Sequence, residues 1–166
     1  MPFGVVPVDQ EMAALLVERG SGDISIDETA HTPEHSLEVQ IPFLQKLQDR
    51  LKIVPLVVSQ ITFSQCEKVA TVLAEAIQRL NKDILIVASS DMSHYESRGT
   101  ATKKDRLALQ DVENLNPQEL YNTVFNNRIS MCGVIPVVIA LLTARLMGAT
   151  RADLVDYTDS GYVSGD

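Results

Sequence analysis

Residues 83–88 (DILIVA) form a nearly continuous apolar run, which constrains the fold more than any other feature of the sequence. An apolar run of this length is typical of a central β-strand that is covered on both faces. Residues 63–80, just before it, show a strong helical pattern with apolar side chains recurring on one face. Residues 53–58 (IVPLVV) and 152–157 are two further strand-like segments. This alternation predicts an α/β fold, with a central parallel or mixed sheet and helices on both faces.

Capping signals and apolar spacing predict the remaining helices. Asp9 is a good N-cap for a helix that runs through Arg19 and ends at Gly20. Thr32 as N-cap and Pro33 as the first helical residue predict a second helix start. Further helices are predicted at about residues 100–114, 117–125 and 132–146.

The composition argues against several classes of protein. With 166 residues, the chain suits one domain. The net charge of −8 disfavours binding to nucleic acid or to an anionic membrane surface, because both need clustered Lys and Arg. The sequence has two cysteines without a spacing motif and does not start with a signal peptide, so we expect a cytoplasmic protein.

His35 and Glu38 form the first cluster that can carry chemistry. They are three residues apart and share one face of the predicted helix, as a metal site or an acid–base pair requires. A capped helix start with an acidic residue near its positive end explains the same residues, and spacing alone favours that interpretation. His31 and His35 have the spacing of a two-histidine zinc motif, but Pro33 interrupts the helix that this motif needs.

Residues 89–95 (SSDMSHY) form the second cluster, directly after the central apolar run. In open α/β sheets, ligand sites lie at the carboxyl ends of strands. Asp91 could orient His94 or bind a metal, and His94 could act as a general acid or base near neutral pH. A polar strand-to-helix loop with local capping is an equally good interpretation. No nucleophile-elbow motif surrounds Ser90 or Ser93, which disfavours acyl transfer.

Cys132 is the third candidate. It lies at the predicted start of an apolar helix, where the helix dipole favours a thiolate that is either reactive or a soft metal ligand. The alternative is a buried small apolar side chain, the usual fate of a free cysteine. Cys66 has no neighbouring histidine or second thiol in the sequence, and we predict a structural role for it.

Three segments resemble the Memo family in their order along the chain: residues 34–44 (EHSLEVQIPFL), residues 89–95 and residues 131–133 (MCG). Residues 53–58 and 157–161 (YTDSG) also fit the family's pattern, so the resemblance runs over nearly the whole chain. Microbial members of this family are often called protein B of the AmmeMemoRadiSam system.

The resemblance implies a fold related to the class III extradiol dioxygenases, ring-cleaving enzymes that use non-haem iron(II). It also implies a metal pocket for iron or copper and a redox or dioxygenase-like activity. By motif, Cys132 stands where the family supplies a thiolate metal ligand. His94 matches the acid–base histidine of the dioxygenases, with Asp91 beside it, and His35 lines the same pocket.

The sequence departs from the family's pattern at both ends. Family segments resembling His-Ala-Gly-Tyr and Pro-Ser-His, whose histidines complete the metal site, are absent, and so is the final strand. We therefore expect residues 1–166 to form a single Memo-like domain that lacks those parts.

Three functional hypotheses follow. The first is a metal-dependent redox or dioxygenase-like enzyme domain, and the second is a binding or scaffold module that uses the same pocket without turnover. The third is an inactive gene fragment. The expected ligand is a small molecule or a peptide. Self-association or a partner that supplies the absent segment is also expected, because a cut through a sheet exposes strand edges and apolar surface.

Overall fold

The computed structural model describes residues 3–164, and in this range the chain is a helical domain. The predicted helices at 9–19, 63–80, 100–114, 117–125 and 132–146 are confirmed to within about two residues at each end. The helices are α1 (Gln10–Arg19), α2 (Ile41–Leu47), α3 (Phe63–Leu80), α4 (Arg98–Glu113), α5 (Pro117–Asn126), α6 (Val134–Leu146) and α7 (Ser160–Ser164), with one turn of 3-10 helix at Thr29–His31.

The hydrophobic core lies between α3, α5 and α6. Helix α3 packs on α6 and α1, while α5 packs on α6 and α4. Small buried side chains on α3 (Cys66, Ala70 and Ala76) let its neighbours approach closely. Helix α6 is apolar along nearly its whole length, and it lies in the middle of this core. No helix among residues 3–164 has the length and apolar character that crossing a membrane requires.

The predicted central sheet is wrong for the part of the chain that the structure describes. Residues 53–58, 83–88 and 152–157 are not helical, and they form no ladder with one another. Between residues 3 and 164 the β-pairing is limited to an isolated parallel bridge that joins Val8 to Ile53. The amide of Ile53 donates to Pro7 O at 3.1 Å, and the Ile53 carbonyl accepts from Asp9 N at 2.9 Å.

One-sided packing explains why the apolar run at 83–88 is not a central strand. Ile84 and Ile86 pack against the helical core, whereas Leu85 and Val87 are 76% and 41% exposed. A central strand of a parallel sheet is covered on both faces and hydrogen-bonded along both edges. In the described range, helices cover one face of this run and no segment pairs with its backbone. The predicted two-sided burial of this run is therefore wrong.

The helix predicted to start at Thr32 is also wrong. Residues 36–40 form turns, and α2 begins only at Ile41, with Pro42 in its first turn. Pro42 therefore starts a short helix, where its missing amide hydrogen is not needed.

Helix α3 begins with a capping box, which yields a testable stability difference. The Thr62 hydroxyl accepts from Gln65 N, and the Gln65 side chain accepts from Thr62 N at 2.9 Å. We expect Thr62→Ala to lower the free energy of unfolding by about 1 kcal/mol, because it leaves an amide of the first turn without a partner. Thr71→Ala on the same helix is the matched control. Its exposed hydroxyl bonds only the Glu67 carbonyl, and urea unfolding should show a change within about 0.5 kcal/mol.

Candidate functional site

The loop at residues 89–95 and the turn at residues 130–133 meet near the amino end of α6. Asp91 and His94 come from the loop, and Cys132 comes from the turn. One potential metal-ligand atom from each of the three side chains lies within 4.8 Å of the other two. His94 is half-buried and the other two residues are exposed, so the group is open to solvent. The structure therefore brings together three of the four predicted site residues.

Hydrogen bonds tie the loop to the turn on both sides of this group. The amide of Asp91 donates to Cys132 Sγ at 3.1 Å. The amide of His94 donates to Ser130 Oγ at 2.7 Å, and the Ser130 hydroxyl donates back to the His94 carbonyl at 3.2 Å. The backbones of Asp91 and His94 are thus fixed to the turn that carries the cysteine.

Gly133 permits the close approach of the two segments. A Cβ atom at this position would lie 2.3 Å from Ser89 O and 2.5 Å from Ser90 Cβ, closer than real Cβ contacts. The amide of Gly133 donates to Ser90 Oγ at 2.9 Å, which adds a third tie between loop and turn. Only glycine lets the backbone of the turn lie directly against the loop.

Tyr95 ends the loop in a conformation that is unusual for a residue with a side chain. Its φ is +56°, in the left-handed region, and its side chain is fully exposed. This conformation costs a non-glycine residue about 1–2 kcal/mol. The turn leads the chain to Ser97, whose hydroxyl caps α4 by accepting from Thr100 N at 3.4 Å. A strained turn therefore follows the histidine of the group directly.

A buried carboxylate, Asp105 on α4, holds the middle of the loop. It accepts from Ser93 N at 3.0 Å and from the Ser93 hydroxyl. Its other oxygen accepts from the phenol of Tyr157 at 2.7 Å. Burial, and then this hydrogen bond to Asp105, raises the pKa of the Tyr157 phenol above its usual value. The phenol therefore stays protonated and acts as the donor.

His35 is not one of the three grouped side chains, and its place in the same pocket stays a prediction. It lies on an exposed turn whose Glu34 carboxylate accepts from His35 N at 2.8 Å and from Ser36 N at 2.7 Å. These amide donors, that of Ser36 first, lower the pKa of the Glu34 carboxyl below its usual value. The Ser89 hydroxyl donates to Ser36 O at 3.3 Å, so the segment next to His35 does touch the loop.

Sequence reasoning missed Asp105, and it missed the contacts that Ser130 makes with the loop and that Tyr157 makes with Asp105. Asp105 shares a face of α4 with the fully buried Ala108, and a charged residue on a buried face is a signal that the sequence does contain. Tyr157 begins the segment 157–161 that fits the family's pattern, and Ser130 lies two residues before Cys132. Both are far from the loop in sequence, so no local pattern predicts these contacts. Cys66, for which the sequence predicts a structural role, is buried, and burial raises the pKa of its thiol.

The fold and the site define a helical domain with a candidate metal centre, and comparisons with known proteins identify its family. The chain belongs to the Memo family, because the model described as "Memo-like protein" matches residues 1–166. It is 41% identical over 166 residues to a MEMO1 family protein of Aquifex aeolicus, covering 99% of this chain and 61% of the relative.

Two further relatives show the same pattern. A MEMO1 family protein of Methanocaldococcus jannaschii is 39% identical over 169 residues, which is 99% of this chain and 58% of the relative. One from Methanobrevibacter smithii is 36% identical over 165 residues, again 99% of this chain and 58% of the relative. The chain thus spans about three-fifths of these relatives. No solved structure gives a significant match.

Proposed function

We propose that Asp91, His94 and Cys132 bind one transition-metal ion, iron or copper, in a redox or dioxygenase-like domain. The observation that carries this proposal is the grouping of three different ligand atoms within 4.8 Å of one another. Ligand atoms bonded to one ion at about 2.0–2.3 Å lie roughly 3–4 Å apart. The observed spacing is therefore close enough for all three side chains to bind the same ion after small rotations.

The chemistry of the three donors favours a transition metal. A thiolate is a soft ligand that suits copper, zinc and iron, whereas magnesium and calcium prefer oxygen ligands alone. Three protein ligands also leave coordination positions free for a substrate, as in catalytic sites and unlike closed structural sites. Bound there, iron or copper would supply Lewis acidity and redox chemistry. The exposure of Asp91 and Cys132 gives a small molecule or a peptide access to the group.

Proton transfer by His94 is the alternative role that the sequence predicts for this residue. The carboxylate of Asp91 has an oxygen within 4.8 Å of an imidazole nitrogen of His94, so a small rotation would let it orient the ring, as general acid–base catalysis uses. In that case Cys132 binds the metal, and the other two side chains hold and move a proton beside it. Loss of His94 should weaken metal binding if His94 is a ligand, and should leave it nearly unchanged if His94 transfers protons.

Co²⁺ titration of the purified chain tests the proposal, because its visible bands report coordination and a charge-transfer band reports a bound thiolate. We expect one Co²⁺ per chain, and His94→Ala should weaken binding by at least about tenfold through the loss of a ligand. His31→Ala is the matched control and should leave the affinity unchanged, because His31 lies outside the group. Binding by His94→Ala within about threefold of wild type would assign His94 the proton-transfer role. Failure of the wild-type chain to bind Co²⁺ stoichiometrically contradicts the metal site itself.

The activity, substrate and partners of a whole Memo-like protein are proposals here, because this chain spans about three-fifths of its relatives. Self-association is a proposal that the exposed apolar side chains support, among them Leu85, Val155 and Phe43. A reducing compartment such as the cytoplasm is consistent with the two free cysteines, Cys66 and Cys132.

A further inference from the structure

Asp105 is a buried carboxylate without a cationic partner. It lies in the middle of α4 and is 3% exposed, and none of the salt bridges among residues 3–164 includes it. Removing a carboxylate from water costs several kcal/mol unless hydrogen bonds replace its hydration. A charge at this position needs a reason beyond packing, because its neighbour on the same face of the helix is the fully buried Ala108.

The hydrogen bonds of Asp105 converge on the loop that carries two of the proposed ligands. Oδ1 accepts from both the amide and the hydroxyl of Ser93, so one oxygen fixes the backbone and the side chain of the same residue. Ser93 directly precedes His94 and follows Asp91 by two residues. A rotation of the backbone at Ser93 would therefore move both proposed ligands relative to Cys132.

Tyr157 holds the carboxylate from the opposite side. Its phenol donates to Oδ2 at 2.7 Å, and the Arg106 guanidinium lies 5.2 Å from the centre of its ring. Because each oxygen has its own partner, the carboxylate cannot rotate freely between them. Three segments of the chain, namely α4, the loop and the stretch before α7, thus meet at Asp105.

We propose that Asp105 is the positioning residue of the metal centre: by fixing Ser93, it holds Asp91 and His94 at the separation from Cys132 that one metal ion requires. This inference rests on the proposed metal site. Outer partners that orient ligands in this way typically contribute 10- to 100-fold to metal affinity. A purely structural tie between α4 and the loop would contribute to folding without changing the geometry at the metal.

Co²⁺ binding by three variants of the chain distinguishes these roles. Asp105→Ala should weaken Co²⁺ binding by about 10- to 100-fold and alter the visible bands, while the thiolate charge-transfer band remains because Cys132 is still present. Asp105→Asn keeps an oxygen for Ser93 and can donate to the phenol oxygen, so it should restore both the affinity and the wild-type spectrum. Ala108→Gly loosens the same helix without removing the carboxylate, and its Co²⁺ affinity and spectrum should match the wild type.

Amide hydrogen exchange of the metal-free chain separates a failure of this inference from a failure of the metal site. We expect faster exchange over residues 89–95 in Asp105→Ala than in Ala108→Gly or wild type. If wild type binds Co²⁺ and Asp105→Ala binds it equally with the same spectrum, the positioning role is wrong and the metal site stands. If wild type does not bind Co²⁺, the metal site is wrong. Unchanged exchange in Asp105→Ala overturns the positioning role whether or not Co²⁺ binds.

Discussion

Cys132→Ala is expected to lower Co²⁺ affinity by more than about 100-fold and to abolish the thiolate charge-transfer band. Cys132 supplies the only soft donor of the three, and its Sγ already accepts the amide of Asp91 at 3.1 Å. Even residues that only orient a ligand cost about 10- to 100-fold in affinity when they are replaced, so loss of the ligand itself should cost more. The folded domain should remain, because Cys132 is exposed and contributes little to the core.

Cys66→Ala is the matched control for this substitution. Cys66 is fully buried on α3, and burial raises the pKa of its thiol, so it does not offer a thiolate to a metal. We expect its removal to leave the Co²⁺ spectrum unchanged and to lower the free energy of unfolding by about 1 kcal/mol through a small cavity. A charge-transfer band that survives in Cys132→Ala and disappears in Cys66→Ala would place the thiolate at the wrong residue and contradict the proposed centre.

The helices were predictable because their signals are local. The N-cap at Asp9, the amphipathic pattern at 63–80 and the apolar run after Gly133 each lie within the helix or next to it. A sheet is different, because it forms only where two extended segments pair, and periodicity in one segment says nothing about a partner. Residues 83–88 show this difference: their apolar pattern predicts a strand, yet the described chain places no strand beside them.

The candidate site was predictable only where its residues lie in dense polar clusters. Asp91 and His94 stand together in one short loop, and Cys132 stands out as a thiol before an apolar helix. His35 was predicted to share a helical face with Glu38, and the turns at 36–40 remove that face. Asp105 and Tyr157 are 52 residues apart, so only the folded chain shows that they meet.

Gly133→Ala adds one methyl group, and we expect it both to destabilise the fold and to disturb the site. The backbone of Gly133 has φ −101° and ψ 28°, which alanine can adopt, so the cost is steric rather than conformational. The added Cβ would lie 2.3 Å from the carbonyl oxygen of Ser89, and backbone atoms at this distance must move apart. Overpacking of this kind lowers the free energy of unfolding by about 1–3 kcal/mol.

The displacement of Ser89 and Ser90 should also weaken metal binding. Ser89 and Ser90 lead directly into Asp91, so pushing them from the turn lengthens the 3.1 Å contact between the Asp91 amide and Cys132 Sγ. We expect Co²⁺ affinity to fall by at least about tenfold, measured by titration beside urea unfolding of the same variant. Gly99→Ala is the matched control. Position 99 lies in the first turn of α4 with no atom near its would-be Cβ, so alanine should leave the affinity unchanged and stabilise the helix by up to about 1 kcal/mol. Equal stability and equal Co²⁺ affinity in Gly133→Ala and Gly99→Ala would contradict this prediction. The close approach at Gly133 would then have no part in forming the metal centre.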